Sequence, residues 1–205
     1  MMKNPNLSFP VVFLAVVMAA VSASSAASSM LLDTGGELLI PNALYYILPA
    51  GNGTGGGLIP VSTEVYQTHC PPGIVQSQLP YILGVPVRFR QLSRVGFVPL
   101  EYDINIEFDI DIWPCADESK VWKAVSSQWL RGSYVSAGGE KFSDDSWFQI
   151  VRDGDSYMIL HSRSSQHVSL FKWANNALVL GYNPFPVKFM KADQITRNEL
   201  SVKTM

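Results

Sequence analysis

Between residues 44 and 190 no window of the chain carries an apolar stripe of helical period; short runs of β-branched and aromatic residues alternate with turn formers instead. The runs at 44–48, 85–89, 104–108, 122–125, 147–151, 157–160, 177–180 and 187–190 read as strands. The clusters at 51–57 and 137–139, Asp153-Gly154-Asp155 and Asn183-Pro184 read as the turns between them. The expectation is one all-β domain of many short strands. Gly84-Val85-Pro86-Val87-Arg88-Phe89 is echoed by Pro184-Phe185-Pro186-Val187-Lys188-Phe189 at an offset of 100 residues. Two periods of about fifty residues fit a threefold repeat closed into a barrel, although no middle copy is evident. Closure leaves few strand edges on which another chain can add.

The amino-terminal segment is different. Lys3 lies in a short polar start, 9–21 is an almost unbroken apolar run, and 20–29 is a tract of small side chains. A positive end, an apolar middle and small residues where a peptidase must fit them are the order of a secretory signal peptide. The apolar run holds about thirteen residues, whereas a bilayer core needs ~20. Residues 1–29 therefore read as a signal that is removed, leaving a mature chain without a membrane anchor. Export gives meaning to two other features. Cys70 and Cys115 are the only cysteines, and in an oxidising compartment they can pair with each other; two separate buried thiols are the alternative. Closing a loop of that size corresponds to roughly 4 kcal/mol in the chain-entropy account. Asn52-Gly53-Thr54 is a glycosylation sequon in a glycine-rich loop, while Asn6-Leu7-Ser8 would leave with the signal.

Composition excludes several classes of function. The formal charge is −2 and no stretch is dominated by Lys and Arg, so the electrostatic footprint of a nucleic-acid binder is missing. Gly51, Gly53 and Gly56 have the spacing of a dinucleotide fingerprint, but Leu58-Ile59-Pro60-Val61 follows where a helix must begin. Gly154-Asp155-Ser156 is followed by Tyr157-Met158, not by the glycines that build an oxyanion pocket. His69, His161 and His167 lack metal-ligand spacing, although His161 and His167 are placed to lie on neighbouring strands. Asp103, Glu107, Asp109 and Asp111 alternate with apolar residues, which is the solvent face of a strand. Trp113, Trp122, Trp129, Trp147 and Trp173 read as packing residues. No cofactor, metal or enzymatic activity is expected.

Leu31-Leu32-Asp33-Thr34-Gly35-Gly36-Glu37-Leu38-Leu39, with Tyr45-Tyr46-Ile47 after it, resembles the amino-terminal signature of plant Kunitz-type (soybean trypsin inhibitor-like) protease inhibitors. The resemblance continues through Leu48-Pro49-Ala50, Cys70-Pro71, Val75-Gln76-Ser77, 84–89, Asp103-Ile104-Asn105-Ile106-Glu107-Phe108, Cys115 and Trp122, to about Asp193. It implies a β-trefoil over residues 30–193 with a variable tail at 194–205. It also implies a secreted or vacuolar plant protein, a role in defence, and a monomer that binds a trypsin-type serine endopeptidase. Gly35 replaces a more usual acidic or polar residue. Ser162 stands where a third cysteine would begin a second bridge.

The same resemblance points to one loop. Fourteen positions before Phe108 lies Arg94, where such inhibitors place the residue that enters the protease pocket, with Ser93 before it and Val95 across the scissile bond. A long cation suits a pocket with a carboxylate at its base. Phe97 is a rival anchor for a chymotrypsin-like pocket. Relatives brace this loop with an Asn from the amino-terminal segment; equal spacing from Asp33 gives Pro41, and Asn42 follows. Two other expectations compete with trypsin inhibition: a non-inhibitory seed storage or defence protein of the same fold, and an inhibitor of another target such as a cysteine protease or a glycosidase.

Overall fold

The computed structural model describes residues 30–51, 55–62, 70–113, 115–128 and 130–193. The expected signal at 1–29, the sequon residue Asn52, His69, Trp129 and the tail at 194–205 lie outside the described residues. Twelve strands follow in order: β1 (Tyr45–Pro49), β2 (Leu58–Val61), β3 (Gly73–Gln76), β4 (Val87–Gln91), β5 (Ile104–Phe108), β6 (Val121–Ser127), β7 (Gly132–Gly139), β8 (Phe148–Asp153), β9 (Ser156–His161), β10 (Gln166–Phe171), β11 (Ala177–Gly181) and β12 (Val187–Lys191). A 3₁₀ turn, Lys172–Ala174, joins β10 to β11.

All pairings are antiparallel, and six of the strands close a ring. Long ladders join β4 to β5, β8 to β9 and β12 to β1. Single bridges complete it at three corresponding places: Tyr45↔Val87, Ile104↔Phe148 and Tyr157↔Val187. The other six strands form three hairpins, β2–β3, β6–β7 and β10–β11. These hairpins meet one another through β3–β7, β3–β11 and β7–β11.

This arrangement explains the missing middle copy of the repeat. Val87 and Val187 occupy matching bridge positions 100 residues apart, and the member between them is Phe148. It falls 61 residues after the first and 39 before the last, so a search at a period of fifty passes it by.

The ring encloses the core because period-two alternation turns every second side chain inward. Val87 and Phe89 on β4, Ile104, Ile106 and Phe108 on β5, and Val187 and Phe189 on β12 are all buried. Aromatic rings fill the middle. Phe89 lies 5.8 Å from Tyr45 and 5.5 Å from Phe189, whose ring is 5.6 Å from Tyr157. Trp122 packs against Phe108 and Phe148 at 5.6 and 6.1 Å. Entry into β4 requires a glycine: Gly84 has φ +85°, and a Cβ there would stand 2.4 Å from the Leu58 carbonyl oxygen.

Cys70 and Cys115 form a disulfide, with Cα atoms 5.6 Å apart. Ser162, in place of a further cysteine, donates from Oγ to Asp103 Oδ1 at 2.7 Å. The residue that follows β9 is thus tied to the residue that precedes β5 by a hydrogen bond rather than by a second bridge.

Phe89 touches aromatic rings from two other strands and has no accessible surface. Phe89→Ala is expected to lower unfolding free energy by about 3–5 kcal/mol, read from the urea midpoint at constant slope.

Candidate functional site

Strands β4 and β5 are paired over five residues, from Val87↔Phe108 to Gln91↔Ile104. The segment that joins them, 92–103, must therefore leave and re-enter the barrel at adjacent points. Its tip is open: Leu92 is 63% exposed, Val95 43% and Phe97 42%, and Arg94 is exposed with no ion pair or hydrogen bond among the described residues. A Cβ on Gly96 would meet nothing within 4 Å.

Both flanks are fastened. Val98 is fully buried, and its N–H donates to the Leu39 carbonyl at 2.8 Å. Glu101 N–H donates to the Ile150 carbonyl at 2.9 Å, and Asp103 accepts from Gln149 Nε2 and Ser162 Oγ. Leu39 is itself held by the signature segment. Asp33 Oδ1 accepts from the N–H groups of Gly35 and Glu37, and Leu32 bridges Leu38. Two ring tyrosines secure the same segment: Tyr157 Oη accepts from Leu32 N–H and Tyr45 Oη from Ile40 N–H, each at 2.9 Å. The Asp33 turn thus carries a structural task, positioning the floor on which the downstream half of the loop rests.

On the upstream side, Asn42 has a left-handed backbone (φ +67°) and its N–H donates to the Phe89 carbonyl. Its Oδ1 accepts from Arg90 Nη1, so Asn42 engages the strand that feeds the loop rather than the backbone of 92–97. Arg90 continues to Glu107 at 2.8 Å, and Lys141 reaches the other Glu107 oxygen at 3.2 Å. Burial pushes the Glu107 carboxyl up, but hydrogen bonds and charge from Arg90 and Lys141 outweigh it and hold the group below its ordinary value. Between this network and the loop lies a cleft of about 480 Å³ bordered by Pro41, Ser93, Arg94, Val95 and Phe142.

The contact that sequence reasoning missed is made by Gln91. Val87, Phe89 and Gln91 share the inward parity of β4, so Gln91 is the last inward residue, at the mouth of the barrel. There its Nε2 donates to the carbonyls of Val95 at 3.0 Å and Phe97 at 3.2 Å. A polar side chain on the apolar parity of a strand, at the residue where the strand ends, was the available signal.

The remaining candidate groups assemble no catalytic site among the described residues. Ser156 Oγ donates to the Asp153 carbonyl in the β8–β9 turn. His161 and His167 do lie on adjacent strands, but His161 pairs with Gln166 and His167 with Leu160, which puts the two imidazoles on opposite faces. His161 is buried against Phe148 with Nδ1 beside Ser164, and burial lowers its pKa. Asp103, Glu107 and Asp109 are committed to neighbours, the first two as above and Asp109 to Arg88 at 2.7 Å, while Asp111 is exposed. No group of three or more metal-ligating side chains occurs among the described residues.

The site is thus a loop on an antiparallel barrel, fastened on both flanks, with Arg94 exposed at its tip. The family described as trypsin and protease inhibitor, of legume Kunitz type, matches residues 31–191, and the chain belongs to it. It is 41% identical to Kunitz trypsin inhibitor 3 of Arabidopsis thaliana over 93% of this chain and 91% of that protein. It is 40% identical to bark lectin isoform 1 of Crateva tapia over 57% of this chain and 72% of that one. Among solved structures, the water-soluble chlorophyll protein from Brassica oleracea with chlorophyll b superposes with a TM-score of 0.71 at 29% identity, covering 80% of this chain and 99% of that chain.

Because Glu107 binds its proton less readily when folded, the stabilisation it provides is complete above the ordinary carboxylate value of 4.5 and disappears as pH falls through the lowered one. Glu107→Gln is expected to cost about 1–2 kcal/mol at pH 7, with the difference from wild type shrinking toward zero below about pH 4. Urea titrations at pH 7, 5 and 3.5 check it.

Proposed function

We propose that the mature chain is a reversible, substrate-like inhibitor of trypsin-type serine endopeptidases, with Arg94 entering the specificity pocket and Val95 on the far side of the scissile bond. The observation that carries this reading is the pairing of an exposed, unpartnered Arg94 with a loop fastened on both sides. A loop that is already ordered loses little conformational entropy on docking. The guanidinium gains a carboxylate partner in the pocket that it lacks in the free molecule. Ser93 supplies a small residue beside the anchor. Asn42 acts at one remove, by setting Arg90 beneath the loop. The interface would be of standard size, roughly 1,600 Å², formed by a monomer and needing no cofactor.

The three matching bridges and three hairpins support a β-trefoil. Residues 1–29 are proposed as a cleaved secretory signal, and the Cys70–Cys115 bridge fits an oxidising destination outside the cell or in the vacuole. A glycan on Asn52 and a role in plant defence belong to the same reading, which leaves the protein without catalysis of its own.

Purified mature protein is expected to inhibit trypsin but neither chymotrypsin nor papain. Arg94→Ala should weaken trypsin inhibition by roughly a hundredfold or more, as for a central anchor residue. Steady-state inhibition constants against the three enzymes provide the check. Unchanged trypsin inhibition by Arg94→Ala, or stronger inhibition of chymotrypsin through Phe97, would refute the assignment.

A further inference from the structure

We infer that Gln91 is the positioning residue that keeps a severed loop ready to be rejoined, through hydrogen bonds that cross the Arg94-Val95 peptide; this rests on the function proposed above. Gln91 lies on the acyl side of that bond. Both carbonyls it holds, Val95 and Phe97, lie on the amine side. Among the described residues no other hydrogen bond engages 92–97, and the next fastening downstream is Val98 N–H to Leu39. Once the peptide is cut, the new amino terminus would therefore be tethered from Val98 onward, except for the grip of Gln91.

The chemistry makes that grip matter. The protease serine oxygen bonds to the Arg94 carbonyl carbon, the bond to the Val95 nitrogen breaks, and the nitrogen departs as an amine carrying a proton delivered by the enzyme's histidine. Two reactions then compete for the ester. Water can attack the acyl carbon and release a cut chain. Alternatively the Val95 amine returns its lone pair to the same carbon and loses a proton to the histidine, while the serine oxygen leaves and is reprotonated, which restores the intact loop. The second route wins when the amine is held against the ester, because an intramolecular nucleophile acts at a very high effective concentration. By fixing the carbonyls of Val95 and Phe97, Gln91 holds the intervening backbone and with it the Val95 nitrogen.

A second observation agrees. Gln91 Oε1 and Ser93 Oγ are buried beneath the loop without partners among the described residues. They are acceptors for an amine that has gained N–H groups on cleavage, and using them breaks no existing bond. Only a side chain with a donor of this reach serves: a carboxylate would face the two carbonyls with like partial charge, and a thioether has nothing to donate.

The test compares wild type, Arg94→Ala, Gln91→Met and Gln91→Lys as full mature chains. Gln91→Met keeps the length and removes the donor; Gln91→Lys restores one. With catalytic trypsin, the cut chain is quantified over time by mass spectrometry, and the isolated cut form is followed as it returns to intact protein. Loss of two neutral hydrogen bonds predicts a rise in the inhibition constant of about tenfold or more, with cut chain accumulating, and resealing slowed, by a similar factor. Gln91→Lys should recover part of the resealing rate, which a purely structural role would not produce. If trypsin inhibition is present and lost in Arg94→Ala while Gln91→Met stays intact and reseals like wild type, the clamp is wrong and the inhibitory reading survives. If wild type neither inhibits trypsin nor is cut at Arg94, both fall. Should Gln91→Met fail to fold, Gln91→Glu makes the same comparison.

Discussion

The ladder between β4 and β5 is the constraint on which the site depends. Five consecutive pairs place Gln91 opposite Ile104, so the intervening segment begins and ends on neighbouring strands of a closed ring. Slipping this register by one residue would turn Phe89 and Ile106 toward solvent and Arg88, Arg90 and Glu107 into the aromatic core. Burial of Phe89 between Tyr45 and Phe189 therefore does more than stabilise the barrel. It fixes which β4 side chains face outward to form the ion-pair network, and it makes Gln91 the residue at the mouth.

A second layer of order comes from the amino-terminal signature. Asp33 closes its turn, Tyr45 and Tyr157 receive its N–H groups, and Leu39 receives Val98. Tyr45 and Tyr157 occupy corresponding bridge positions in the ring, so the barrel holds this segment with two equivalent side chains. The downstream flank of the loop is consequently set by core packing rather than by contacts of its own.

How much of this was legible depended on whether a feature left a local trace. β5 was read with its observed boundaries because Ile104, Ile106 and Phe108 alternate cleanly with polar residues. β7 was read only as a turn at 137–139, since its last residues, Ala137-Gly138-Gly139, are small, and the two bulky buried residues Tyr134 and Val135 are adjacent and so do not alternate. β2, β3 and β10 were missed as well; β3 is buried along its whole length and shows no alternation. The 100-residue echo marked β4 and β12, and β8 was read as a strand at 147–151, but unequal insertions hid that it is the copy between them. At the site, Arg94 was reached through landmarks on both sides. Spacing from Asp33 pointed to Pro41, with Asn42 one residue later as the candidate, and what Asn42 touches depends on its left-handed backbone, which turns its amide toward Arg90. Gln91 could be found only by carrying the strand parity to its last position.

The threefold ring has three corresponding connections at the level of this loop, and they are unlike. The first is the long segment 92–103. Its counterpart between β8 and β9 is the short turn at Gly154-Asp155, where Asp153 already pairs with Ser156. The last counterpart is open, because β12 and β1 are where the chain departs and arrives. Internal repetition is thus broken at this level, where 92–103 alone of the three connections is long. Under the function proposed above, one copy would engage one protease through this end of its barrel.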